Sequence, residues 1–200
     1  MKKNLLNTLL IALLVASAQL VSAQIKFGPR IGVNAATLAG VNNNAGFKLG
    51  LHAGGYVKLG LGGSVAFQPE LLYSVKGFSN INNNGTNSDN LALNYLDIPL
   101  LLNIGGSKGM HFLIGAQPSF LLSAKDKYKS GGNKTKTDVK SSFKGFDFAP
   151  VIGLGYQAEG GFCVDLRTSY GIPNIMASSA YNAQRNFVMQ LTFGYTIGGN

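Results

Sequence analysis

Five charged residues attract attention because each lies within a segment whose alternate residues are apolar. They are Arg30, Glu70, Asp97, Asp165 and Arg167. Charged residues make up only 12% of the chain, so charges inside apolar segments require an explanation. An unpaired buried charge is costly, and the planar guanidinium of arginine can serve two carboxylates at once. We therefore expect these side chains to form a structural network of ion pairs inside the fold. The alternative is an ion path or gate.

A second group of charges is a run of lysines in the second half of the chain. Its members are Lys125, Lys127, Lys129, Lys134, Lys136 and Lys140, followed by Lys144. Only two acidic residues, Asp126 and Asp138, lie among them. Clustered ammonium groups attract phosphate and other anions. The first six lysines therefore predict contacts with lipopolysaccharide phosphates or with an acidic surface partner. The alternative is a solvated, mobile loop that its charge keeps soluble.

Catalytic, metal and cofactor chemistry is not indicated by the sequence. His52 is predicted to lie inside the fold and His111 near a short turn, and neither is placed beside an outer serine and acid. No metal-ligand spacing and no phosphate-binding glycine loop is found. The single cysteine, Cys163, cannot form an internal disulfide and lacks the context of a nucleophile. We predict that the protein is not an enzyme and holds no cofactor or metal.

The first residues have the composition of a secretory signal. Lys2 and Lys3 precede an apolar run, and the small residues Val21-Ser22-Ala23 follow it. The run is shorter than the roughly 20 residues of a spanning helix. We expect a signal peptide over residues 1–23, cleavage between Ala23 and Gln24, and one mature domain over residues 24–200. The formal net charge of +9 is compatible with nucleic acid, but export argues against that partner.

Eight segments of the mature chain alternate apolar and polar residues with the period of a β-strand. They cover residues 27–35, 47–59, 65–76, 95–104, 112–122, 146–157, 162–170 and 187–197. The connections between them are alternately long and short, which is typical of outer-membrane barrels. The predicted fold is all-β, an eight-stranded antiparallel up-and-down transmembrane β-barrel with both termini on the periplasmic side.

The two faces of the predicted strands differ in chemistry. Large apolar residues such as Leu100, Phe148 and Leu191 share one face, whereas glycine, small polar residues and the charges share the other. Eight strands enclose an interior just wide enough for side chains. The apolar face therefore points outward to lipid and the polar face fills the interior. Aromatic residues near both ends of the strands predict two belts at the membrane interfaces.

Several motifs resemble a known family. Residues 67–77, FQPELLYSVKG, resemble the QPELLYSxKG signature of the PorT-like outer-membrane β-barrel family of Bacteroidota. Residues 94–100, NYLDIPL, resemble its NYLxIPLLL strand, and residues 115–118 and 165–171 match further motifs in the same order. The resemblance implies an eight-stranded outer-membrane barrel. One branch of that family is associated with a protein-secretion apparatus, and no motif of this sequence assigns the chain to that branch.

These observations favour a structural, anchoring or partner-binding role at the cell envelope, with a lumen plugged by side chains. The expected partners are outer-membrane lipid and lipopolysaccharide, and an envelope or secretion-apparatus protein; nucleic acid is not expected. Three alternatives stay open: a narrow porin-like channel for ions or small solutes, an enzyme acting at the outer rim, and a soluble ligand-binding barrel with its faces reversed.

Overall fold

The computed structural model describes residues 25–41, 46–81, 87–105, 108–130, 133–178 and 182–198. The predicted signal peptide lies outside these residues. The strands are β1 Ile25–Ala39, β2 Gly46–Gly62, β3 Val65–Ile81, β4 Asn87–Asp97, β5 Leu100–Ile104, β6 Gly109–Ser130, β7 Asn133–Asp138, β8 Phe146–Gln157, β9 Phe162–Tyr170 and β10 Arg185–Tyr195. One 3-10 turn covers Lys140–Ser142. Among the described residues, no helix is long and apolar enough to cross a membrane.

The strands form a closed antiparallel ring. β1 pairs with β2 on one side and with β10 on the other, and β3, β6, β8 and β9 follow around the ring. β4 and β5 together form one wall position between β3 and β6, and Ile98-Pro99 separates them. Proline has no backbone N–H to donate, which explains the break in pairing. The predicted ring of eight strands and its antiparallel up-and-down order are therefore confirmed.

Three strands extend furthest beyond the segments that the sequence predicts. β3 continues to Ile81, β4 begins at Asn87 and β6 continues to Ser130. β7 pairs with the end of β6, so residues 125–130 and 133–138 form the two arms of a β-hairpin where the sequence predicts a loop. That prediction was wrong because the apolar alternation stops where the strand leaves the apolar band. Beyond the apolar band, the backbone pairing of β6 with β7 continues without any apolar alternation.

The sidedness of the wall agrees with the prediction. Leu100 and Leu191 are 41% and 37% exposed, whereas Glu70 and Arg167 are 3% and 2% exposed. The outward apolar residues form a belt around the ring, far larger than the apolar patches that soluble monomers expose. A belt of this kind is stable against acyl chains. The wall of this barrel therefore requires lipid as its surroundings.

Aromatic contacts lie at both ends of the wall. Phe120 and Phe146 pack with ring centroids 5.5 Å apart at the end where β6 meets the start of β8. At the opposite end, Phe162 stacks on Phe193 with centroids 6.2 Å apart. Aromatic rings at these positions match the two belts that the sequence predicts.

The inner face carries more apolar volume than the sequence predicts. Leu101, Leu113 and Val151 form a buried cluster inside the ring. Leu101 is directly opposite Gly115, and Leu113 is directly opposite Gly153. Because these glycines have no side chain, the narrow interior has room for a leucine beside each of them. The expectation of a uniformly small and polar inner face was wrong at these positions.

Candidate functional site

Four of the five predicted network residues meet inside the barrel, and they are Arg30, Glu70, Asp165 and Arg167. Their positions on β1, β3 and β9 turn the side chains to the inner face. Glycines on the neighbouring strands make room for them: Gly54 and Gly194 are opposite Arg30, Gly155 is opposite Asp165, and Gly153 is opposite Arg167. A Cβ atom at Gly155 would collide with Asp165 Oδ1. Small residues on these strands are thus a condition for the charges to pair.

The two cations and two anions alternate in one cluster, which we call the charge cluster. Arg167 donates from Nη1 to Glu70 Oε2 at 2.7 Å and from Nη2 to Glu70 Oε1 at 2.9 Å. Its Nη2 also donates to Asp165 Oδ2 at 2.7 Å. Arg30 donates from Nη1 to the same Asp165 oxygen, and its Nε lies 3.3 Å from Glu70 Oε1. All four side chains are 2% exposed or less, so water does not screen these pairs.

Further side chains complete the surroundings of the cluster. His111 Nε2 lies 2.8 Å from Asp165 Oδ1, and Gln68 donates to Glu70 Oε1 at 2.7 Å. The guanidinium carbon of Arg30 lies 4.3 Å from the centre of the Tyr56 ring. Hydrogen bonds and ring contacts of this kind offset part of the cost of burying charge. The histidine contact was not foreseen, because the sequence placed His111 only near a turn.

A single network of the five predicted residues would place Asp97 beside the arginines, but Asp97 does not contact the arginines of the charge cluster. Its Oδ1 lies 2.8 Å from Lys76 Nζ. The ammonium group also donates to Ser119 Oγ at 3.3 Å and lies 4.7 Å from the centre of the Tyr95 ring. Lys76 was missed as a partner, although its parity with Glu70 on β3 places it on the inner face. We call this pair the lysine–aspartate pair.

A polar layer of uncharged groups also occupies the lumen. His52 lies 2.7 Å through Nδ1 from Asn34 Oδ1 and 2.9 Å through Nε2 from Thr192 Oγ1. Gln190 and Ser74 also hydrogen-bond to Asn34. Since His52 is held by neutral partners on β1 and β10, its place in the structure is that of a packing and hydrogen-bonding group.

Both ends of the barrel are closed by side chains. At the end that carries the long connections, an apolar cluster includes Leu38, Leu93 and Ile175, and Val139 and Phe143 pack against it. The segment that carries Val139 and Phe143 is joined to the segment that carries Ile175 by backbone hydrogen bonds between residues 139–144 and 172–177. At the other end, Tyr56 Oη lies 2.5 Å from Thr196 Oγ1, and Thr196 donates to Gln157 at 3.1 Å. The charge cluster therefore lies between two further layers of packed side chains.

Five of the six predicted surface lysines lie on the hairpin of β6 and β7, and they are Lys125, Lys127, Lys129, Lys134 and Lys136. Lys140 lies elsewhere, in the 3-10 turn that follows the hairpin. The contact of these six lysines with a surface partner stays a prediction. In the described part of the chain, no group of three or more metal-ligating side chains is found.

A sequence model of the family described as "Outer membrane protein beta-barrel domain" matches residues 17–177 of the chain. No curated protein matches this chain. Among solved structures, Neisserial surface protein A is similar with a TM-score of 0.54 and 10% identity, over 84% of this chain and 96% of that one. Ail of Yersinia pestis, in complex with the heparin analogue sucrose octasulfate, is similar with a TM-score of 0.50 and 12% identity, over 87% and 99%. At these identities the likeness is one of fold.

Proposed function

The chain belongs to the outer membrane protein beta-barrel domain family, and from that premise we propose that it is a closed barrel that anchors a partner-binding surface at the cell envelope. It is an outer-membrane β-barrel protein. The proposal includes an N-terminal signal peptide cut between Ala23 and Gln24, and membership of the PorT-like outer-membrane β-barrel family of Bacteroidota. It also includes the partners expected from the sequence: outer-membrane lipid, lipopolysaccharide and an envelope or secretion-apparatus protein.

The observation that carries the proposal is the charge cluster in the centre of the lumen. Arg30, Glu70, Asp165 and Arg167 contact one another across the interior with side chains that are 2% exposed or less. An ion would have to separate these pairs in order to pass, and breaking a buried pair costs about 3–5 kcal/mol. The end of the barrel with the long connections is also covered by the apolar cluster against which Phe143 packs. These contacts support a structural or binding role over a channel.

A surface role also fits the distribution of the remaining charge. Lys127, Lys129, Lys134 and Lys136 of the β6–β7 hairpin are exposed and lie beyond the apolar band, on the side of the long connections. The sequence places this side outside the cell, where surface partners are met. The absence of enzymatic activity stays a prediction, and it rests on the use of both histidines in lumenal hydrogen bonds.

Conductance across a planar bilayer tests the proposal. We expect the reconstituted wild-type barrel to add no discrete current steps to those of a protein-free bilayer, because paired charges fill its centre. A general porin reconstituted in the same way is the positive control. Current steps that scale with the amount of barrel, and whose ion selectivity changes in the Glu70→Gln variant, would contradict the anchoring role and support the narrow channel instead.

A further inference from the structure

Five lysines of the β6–β7 hairpin share one of its faces. Lys127 is directly opposite Lys136, Lys129 is directly opposite Lys134, and Lys125 is directly opposite Asp138. Residues that are directly opposite in an antiparallel pair, or two apart along a strand, project from the same face. We call this surface the lysine face. It sets five lysines against a single aspartate.

Two opposed lysine pairs are unfavourable without counterions. Like charges directly opposite each other destabilise a strand pair. Lys127, Lys129, Lys134 and Lys136 form no ion pair with any described residue, and Asp126 projects from the other face. A hairpin with this composition is therefore stabilised by any ligand that brings several negative charges to this face.

The lysine face is concave and extends beyond the hairpin. A cavity of about 550 Å³ is lined by the four opposed lysines together with Lys48, Asn90, Tyr128 and Thr135. Lys48 Nζ lies 2.5 Å from Asn90 Oδ1, which holds a further ammonium group at the edge of the cavity. A multiply charged anion would therefore meet ammonium groups from three strands, β2, β6 and β7.

The direction of the lysine face points to lipid as the source of that anion. Phe120 and Leu122 on β6 face outward and are each 45% exposed, at the level of the apolar band. Pairing shifts by one residue between this level and the hairpin, and beyond the shift Ala124 and Asp126 continue the inner face. Lys125, Lys127 and Lys129 consequently continue the lipid-facing side, directly beyond the band. That is the level at which lipid headgroups carry their phosphates.

We propose that the lysine face binds the phosphate groups of outer-leaflet lipids, with lipid A as the ligand class. This inference rests on the proposed function, since it names the partner of the anchored surface. Lys127 and Lys136 contact the phosphates nearest the membrane, and Lys129 and Lys134 contact anionic groups further out. The binding is electrostatic and weakens as the salt concentration rises.

The test is a titration of the full-length barrel, folded in neutral detergent, with lipid A. The double variant Lys127→Thr/Lys136→Thr removes one opposed pair and keeps residues that favour strands. We expect it to lose at least tenfold in affinity for lipid A, since each lysine near an anionic lipid surface contributes about a factor of five. The matched control, Lys140→Thr/Lys144→Thr, removes the same charge outside the lysine face and should lose less than twofold.

Inositol hexakisphosphate serves in the same titration as a soluble polyphosphate probe. Three outcomes would overturn the inference: the double variant keeps its affinity for lipid A, the control variant loses as much affinity for lipid A as the double variant, or the double variant loses affinity for inositol hexakisphosphate but not for lipid A. Heat-modifiable gel migration of each variant shows that it has folded. Conductance is measured on the same preparation. A failure of lipid binding in a non-conducting barrel therefore rejects the lysine face alone, whereas current steps reject the closed barrel.

Discussion

Replacing Arg167 with alanine is expected to lower the free energy of unfolding by about 3 kcal/mol. The guanidinium of Arg167 donates to both oxygens of Glu70 and to one oxygen of Asp165. Without it, two buried carboxylates share the single positive charge of Arg30. The cost of one uncompensated buried charge is larger than the value of any single hydrogen bond in the cluster.

Equilibrium unfolding by urea in lipid vesicles measures this loss. Arg185→Ala is the matched control, because Arg185 donates through Nε to the backbone oxygen of Ile172 and forms no ion pair with a described residue. We expect that control to lose about 1 kcal/mol or less. An Arg167→Ala barrel with the midpoint of the wild type would show that the charge cluster does not hold the lumen together.

The second large effect is expected at Lys76. Replacing it with methionine keeps most of the side-chain volume but removes the charge that lies 2.8 Å from Asp97. Asp97 is fully buried, so the variant should lose about 3 kcal/mol of stability. The measurement is again the urea midpoint in vesicles.

A double-mutant cycle separates charge from packing at this pair. Adding Asp97→Asn to Lys76→Met removes the uncompensated carboxylate, and we expect the double variant to recover more than half of the loss. If the losses of the two single variants simply add, the lysine–aspartate pair is not coupled and the account of its role is wrong.

The architecture was predictable because lipid and a narrow lumen impose opposite demands on alternate residues. Segments such as residues 162–170 show that alternation clearly, and the structure places the strand there with Val164 and Leu166 toward the outside. The β6–β7 hairpin was not predictable in this way. Beyond the apolar band the strands no longer alternate apolar with polar residues, so their lysines and threonines have the composition of a loop.

Four of the five residues predicted for the charge cluster belong to it, and Asp97 does not. Alternate residues of a strand face the same side, which puts Arg30, Glu70 and Arg167 inside. Because buried charges are costly when unpaired, these residues are expected to pair. Which carboxylate meets which cation across the lumen depends on the stagger of the strands around the ring. The sequence does not state that stagger, so Asp97 was assigned to the arginines although Lys76 is its partner.

Labelling of Cys163 tests the closed lumen most directly. This native cysteine lies on the inner face of β9, is 1% exposed, and lies beside Gly194 of β10. In a lumen filled by paired side chains, a water-soluble maleimide cannot reach its thiol. The account predicts that the folded barrel in vesicles stays unlabelled while the urea-unfolded chain reacts fully. Rapid labelling of the folded barrel, from either side of the membrane, would contradict it.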